Sequence, residues 1–294
     1  MSRQWSDRVG ALVMKALAVA CVGLALSMAI GLLVRSWPVV SSCGLRQLLL
    51  GSSWRPLQGQ FGFYAFFIGT LWVSGLAMVL SIPISLLCAL HLSEYADSRV
   101  RALAKPMLDL LAGIPSVVFG LWGMLAVVPL VRWLGERVGV ATTGYSVLAG
   151  GVVLAIMVFP VIISVAEEVL RKVPLEAREA SLAVGATRWQ TTKHVVVRAA
   201  LPGIVAAIIL GFTRAFGETM AVLMVVGNVV GLPRSVFDPA YPLPALIANN
   251  YGEMMSVPRY DAALMFAALA LLAVVLGFNI MATLVLRVVE RRLA

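Results

Sequence analysis

Arg214 and Glu218 are the residues of this sequence whose type and position most demand a chemical reason. Both stand inside an apolar run, Leu201 to Val230, where an ionised side chain costs about 2.5 to 3.5 kcal/mol on insertion scales. On an uninterrupted helix a separation of four positions is about 6 Å of rise on one face, so a direct ion pair that fixes helix packing is one reading. The other is that both face a water-accessible pathway. A guanidinium offers a planar fork of donors that suits a tetrahedral oxyanion. A neighbouring carboxylate would accept a hydrogen bond from an anion still protonated at neutral pH, such as phosphate, and repel a fully deprotonated one such as sulfate. Thr213 and Thr219 add hydroxyls beside the pair, and Gly211 and Gly217 allow close helix approach. Asp109 and Asp261 fall near the ends of their spans and read as interfacial.

Other chemistries find no support in the sequence. No segment matches a G-x-x-x-x-G-K-[ST] phosphate loop, an H-E-x-x-H metal helix or a G-x-S-x-G nucleophile elbow. ATP is therefore not expected to be hydrolysed on this chain, and no cofactor or metal is expected to reside on it. His91 and His194 are far apart and lack companion ligands. A membrane-embedded hydrolase would need a nucleophile and base, or metal ligands, at membrane depth.

The elements that must hold the charged pair are membrane helices. Of 294 residues, 61% are hydrophobic and 13% charged, against roughly a quarter charged in soluble domains. Mean hydropathy is +0.96. Ala16–Val34, Phe61–Leu90, Leu110–Val131, Val138–Ala166, Leu201–Val230 and Tyr260–Leu286 each suffice for a helix of about 20 residues across a bilayer, giving an all-α protein of six spans. The first apolar run exceeds a signal-peptide core and reads as a retained anchor. With both termini cytoplasmic, 15 of 23 Lys and Arg residues fall inside, Arg3, Arg8, Arg291 and Arg292 among them, and seven outside, as the positive-inside rule requires. The net charge of +9 is thereby explained without a nucleic-acid partner. Cys21, Cys43 and Cys88 share no outer loop, so no structural disulfide is expected.

Between the fourth and fifth spans, residues 167–200 are polar, charged and rich in helix formers. Pro174 suits a helix start, Gly185 a turn, and Ala186 to Arg198 a second helix. A helical hairpin under the membrane results, either a solvated connection or a docking element. Pro83 and Pro115 are expected to bend their spans, Pro106 to open the third, and Pro160 to lie near the inner end of the fourth. The outer segment Asn228–Arg259 holds five of the 14 prolines. A short helix is expected from Pro244, lying at the outer membrane surface or capping a cavity.

Two motifs resemble a known family, the permeases of bacterial ATP-binding-cassette importers. Glu179-Ala180-Ser181, three residues and then Gly185 is similar to the cytoplasmic signature of those permeases, although Arg198 stands where the family usually has proline. Gly211-Phe212-Thr213-Arg214-Ala215-Phe216-Gly217-Glu218-Thr219-Met220-Ala221-Val222, with Val226-Gly227-Asn228, resembles the fifth-helix signature of the PstC-type subunits of the phosphate-specific system. The resemblance implies the type I ABC-importer permease fold, with an N-terminal part, 1–60, preceding a core transmembrane domain, 61–294. It further implies that Glu179, Ala180, Ser181 and Gly185 form a coupling helix seated on a separate ATPase dimer, which binds the ATP. Arg214, Glu218, Thr213 and Thr219 would line the path of inorganic phosphate. A PstA-type permease would be the other half of a heterodimer in the bacterial inner membrane, and a periplasmic phosphate-binding protein would deliver the anion. An importer of another oxyanion, molybdate or phosphonate, and more remotely a secondary transporter, remain the alternatives.

Overall fold

The computed structural model describes residues 2–254 and 256–293, with side chains within 10–287 apart from Leu57. The side chains of Arg3, Arg8, Arg291 and Arg292 thus lie outside the described residues. Among the described residues, six helical stretches are long and apolar enough to span a membrane: Gly10–Cys43, Tyr64–Tyr95, Ser116–Val138, Val147–Arg171, Arg188–Gly217 and Pro258–Arg287. Hydrocarbon imposes this form, since backbone N–H and C=O groups must be paired within the segment that carries them.

Helix α1 (Ser2–Cys43) packs along the last helix, and its apolar stretch is exposed. A loop with the short α2 (Leu45–Leu50) and a two-residue antiparallel ribbon, Trp54–Arg55 against Gln60–Phe61, leads into α3 (Tyr64–Leu90). Helix α3 contains Pro83 and ends in a π-turn, His91–Tyr95. The third span departs from expectation. Leu110 belongs to a separate helix, α4 (Ser98–Gly113), with Pro106 in its interior. Ile114 and Pro115 are extended, and α5 (Ser116–Trp122) begins after them. The pyrrolidine ring disfavours helical backbone at the residue before it, so Pro115 breaks the chain where a bend was expected. A π-turn, Gly123–Val127, joins α5 to α6 (Val128–Val138).

The fourth span, α7 (Val147–Arg171), starts nine residues later than the apolar run suggests. Gly139 and Gly144 take positive φ values of 76° and 91°, and the Ser146 hydroxyl caps the helix by accepting from the Ala149 N–H at 3.2 Å. Pro160 is buried in mid-helix and not near the end. Helix α7 is apolar around much of its circumference and is the most buried span. Its neighbours in the main core are α3 and the fifth span.

The hairpin consists of α8 (Leu175–Ala183), a turn with Gly185 at φ 88°, and α9 (Arg188–Thr191). Thr187 and Gln190 form a reciprocal capping box at the start of α9. The second arm does not end under the membrane. It continues through a π-turn, Thr192–Val196, into α10 (Val197–Gly217), making one helical stretch from Arg188 to Gly217. It runs through Arg198 and Pro202 without a break. After α11 (Met220–Val225) the proline-rich segment folds back, Gly227 bridging to Ala240, and leads to α12 (Leu243–Met254) and α13 (Pro258–Leu293). The short helix at Pro244 is thus α12, but Leu243, Pro244, Ala245 and Leu246 of its first turn are buried in the protein. Thr70 of α3 receives the Leu243 N–H at 2.9 Å. Around it Trp54, Phe61, Phe63, Phe66, Tyr241 and Tyr260 build an aromatic core at the end opposite the hairpin.

Candidate functional site

Helix α10 stops at Gly217, so Arg214 and Glu218 do not share an unbroken helix. Glu218 is extended, at φ −73° and ψ 125°, and Thr219 follows before α11 begins. The direct pair, one of the two readings of these charges, is not formed among the described residues. Four ion pairs occur among the described residues, Arg132–Glu136, Arg171–Glu167, Lys172–Glu168 and Arg178–Glu94, and neither Arg214 nor Glu218 is in them. Instead Glu218 Oε1 accepts from the backbone N–H of Thr219 at 3.1 Å and of Ala221 at 3.3 Å, groups that a helix start leaves without intrahelical partners. The carboxylate thus sits at the positive end of α11 and the guanidinium in the negative last turn of α10. A helix interrupted at membrane depth is tolerated where its backbone is buried in protein or lines a water-filled cavity.

Several neighbours predicted to join the pair are occupied elsewhere. The Thr213 hydroxyl lies 3.0 Å from the Ile209 carbonyl and 2.9 Å from Asn279 Oδ1 on α13, so it ties α10 to that helix. Thr219 donates to the Gly217 carbonyl at 3.3 Å. Gly211 does mediate close approach, because a Cβ there would lie 2.6 Å from Ile162 Cγ1 of α7. At Gly217 a Cβ would meet nothing within 4 Å, so that glycine faces open space. Asn228 has φ 52° and its amide donates to the Leu223 carbonyl at 2.8 Å; with Gly227 it reverses the chain. Glu218 also lines a crevice with Thr70, Ser74, Pro242 and Pro244 whose space, about 10 Å³, is that of about one water.

The hairpin presents the other candidate surface. Glu179 and Ala180 are exposed, as are Leu182 and Gly185, and Val184 and Trp189 project beyond them at 86% and 57% exposure. Large apolar side chains on a polar hairpin mark a contact surface. Ser181 faces inward, its hydroxyl 2.9 Å from that of Thr191 across the two arms.

Sequence reasoning missed the residues that seat this hairpin. Glu94, in the π-turn after α3, accepts from Arg178 of α8 at 2.9 Å through Oε1, and its carbonyl accepts from Arg188 of α9 at 3.1 Å. Arg101 of α4 donates to the carbonyls of Leu92, Ser93 and Ala96, groups stranded at a helix end. The available signal was an acid at the end of an apolar span, facing a loop rich in arginine.

Six spans, one followed by a break beside an arginine, with a hairpin carrying exposed apolar residues, define a multi-pass membrane protein with a contact surface at one end. Residues 81–294 match the model of the family described as binding-protein-dependent transport system inner membrane component. The chain is 34% identical to the probable ABC transporter permease protein YqgH of Bacillus subtilis, over 86% of this chain and 82% of that one. It is 34% identical to the phosphate transport system permease protein PstC of Haemophilus influenzae, over 76% of each. The probable phosphate transport system permease protein PstC of Methanocaldococcus jannaschii is 31% identical, over 82% of each. Among solved structures, a bacterial alginate ABC transporter superimposes with a TM-score of 0.62 at 16% identity, over 96% of this chain and 98% of that chain. The MetNI methionine ABC transporter, inward facing, gives 0.58 at 21% identity, over 81% and 99%. The chain belongs to the binding-protein-dependent inner membrane components, the permeases of ABC importers. It is a transport subunit of the inner membrane with the type I permease fold, and in such systems ATP hydrolysis lies on a separate subunit.

Proposed function

We propose that this permease conducts inorganic phosphate, with Arg214 and Glu218 as the pathway residues at the break between α10 and α11. The observation that carries the reading is the state of the two charges. Arg214 has no ion pair among the described residues, and Glu218 uses only Oε1 in its backbone bonds, leaving Oε2 without a hydrogen bond there. A guanidinium with spare donors and a carboxylate oxygen with spare lone pairs suit an oxyanion that still carries a proton. Thr213 and Thr219 complete the lining, Thr213 by holding the wall to α13. The crevice within one chain is too small for the anion, so a second permease of the PstA type supplies the facing wall. Relatives named as phosphate permeases support the substrate.

The hairpin supplies the drive. Glu179, Ala180, Ser181 and Gly185 form the coupling helix and its turn, seated in a groove of the ATPase subunit, and closure of the ATPase dimer rocks the permease pair. A periplasmic phosphate-binding protein loads the opposite face. The test is uptake of labelled phosphate into proteoliposomes holding the permease pair, the ATPase, binding protein and ATP. Uptake should resist sulfate and molybdate, and Arg214→Gln should lower it at least a hundredfold in an assembled complex. Normal uptake by that variant removes the arginine from the pathway; uptake of another oxyanion removes phosphate.

A further inference from the structure

We propose that Glu94 is a positioning residue that clamps the hairpin to the membrane helices, so that movement of the hairpin is delivered to α3 and α7 together. The end of α3, α8, α9 and α7 are joined at and around this residue. Glu94 closes the π-turn at the end of α3, and its Oε1 receives Arg178 Nη2 of α8 and the Ser93 hydroxyl, each at 2.9 Å. The same Nη2 donates to the Leu170 carbonyl in the last turn of α7 at 2.9 Å. The backbone carbonyl of Glu94 takes Arg188 of α9 at 3.1 Å, and the Arg188 guanidinium lies 5.6 Å from the centre of the Tyr95 ring.

The pair is sheltered, with side-chain exposures of 19% for Arg178 and 13% for Glu94, whereas the other three ion pairs each have at least one side chain more than half exposed. Shelter makes breaking it costly and gives it one geometry. Arg178 Nε is buried without a partner among the described residues, and the hydrogen bonds of the side chain there run through Nη2. The Ser181–Thr191 contact makes the two arms one unit, and Arg101 pins the end of α3 from α4. A load applied to the exposed hairpin therefore reaches the end of α3 through Glu94, beside the direct helical path from α9 into α10. Without it, α8 keeps its chain connection to α7, the Leu170 contact and the Ser181–Thr191 contact, but loses its side-chain bond to the end of α3.

The inference rests on the reading of the hairpin as the ATPase docking element, and two readouts keep them apart. Spin labels at Leu87 and Glu176, both exposed, in an otherwise cysteine-free permease give the spread of distances between α3 and α8 in the reconstituted complex. Phosphate moved per ATP hydrolysed is measured on the same samples. Glu94→Ala should at least double the width of the distance distribution and lower the transport ratio at least tenfold while the ATPase stays bound. Glu94→Arg with Arg178→Glu should narrow the distribution again. If Glu94→Ala does not assemble, Glu94→Gln, which keeps the acceptor oxygen and loses the charge, should give a smaller change in the same direction. An unchanged distribution, or a widened one with an unchanged transport ratio, overturns the proposal. Retention of the ATPase by Val184→Asp with Trp189→Asp would instead overturn the docking reading and leave the distance result standing.

Discussion

A carboxylate that turns back on the backbone beside it does not neutralise the arginine one turn earlier. Glu218 illustrates a choice between two ways of stabilising a charge in an apolar span: pair it with its opposite, or spend it on unpaired backbone N–H groups. The break after Gly217 exposes such groups at the start of α11, and Glu218 Oε1 takes two of them. The side chain therefore has a structural duty separable from its proposed role with phosphate. Glu218→Ala removes the cap, and loss of a capping acceptor costs about 0.5 to 2 kcal/mol. Glu218→Gln keeps an oxygen in that place and removes only the charge. Both variants should lose phosphate uptake, but thermal unfolding of the purified permease should be lowered more by alanine than by glutamine. Equal melting of the two variants would show that the backbone bonds contribute nothing measurable.

At the scale of elements, α7 and α10 approach closely because glycine stands where any Cβ would collide. A Cβ at Gly211 would lie 2.6 Å from Ile162 Cγ1, and one at Gly203 would overlap Val169. Overpacking of this kind costs typically about 1 to 3 kcal/mol, so Gly211→Ala and Gly203→Ala should each lower the unfolding temperature in detergent. Gly217→Ala, with open space around it, should not; a melting loss there as large as at Gly211 would contradict the geometry. Sequence alone made the six spans legible because apolar length is a direct signal of a bilayer crossing, and the hairpin legible because Pro174 and Gly185 bracket a run of helix formers. It mis-set the starts of the third and fourth spans. Hydropathy does not register that Pro115 forces Ile114 out of the helix, or that Ser146 caps α7 after a glycine turn. The site was legible as a charged pair but not as a break, since Gly217 is tolerated in a helix and nothing in the sequence shows that Glu218 prefers the backbone to Arg214. Glu94 was hidden because its partners, Arg178 and Arg188, lie more than eighty positions away.

For the whole molecule, what matters is that its two ends differ. The hairpin end gathers Arg99, Arg101, Lys105, Arg171, Lys172, Arg178, Arg188, Lys193 and Arg198. At the other end the turn before α7 is bonded to the proline-rich segment, Thr142 donating to the Phe237 carbonyl and the Val147 N–H to that of Asp238. The aromatic core closes the same end. The excess of cations on the hairpin side supports the proposal that this side faces the cytoplasm, where an ATPase would reach Val184 and Trp189. Glu176 on α8 and Glu253 on α12 are both exposed and report the two ends. With Cys21, Cys43 and Cys88 replaced by serine, Glu253→Cys should react with a membrane-impermeant maleimide in intact cells. Glu176→Cys should react only after permeabilisation. The opposite pattern would place the hairpin away from ATP, and the coupling role of Glu179 to Gly185 would have to be given up even though the fold and the family membership stand.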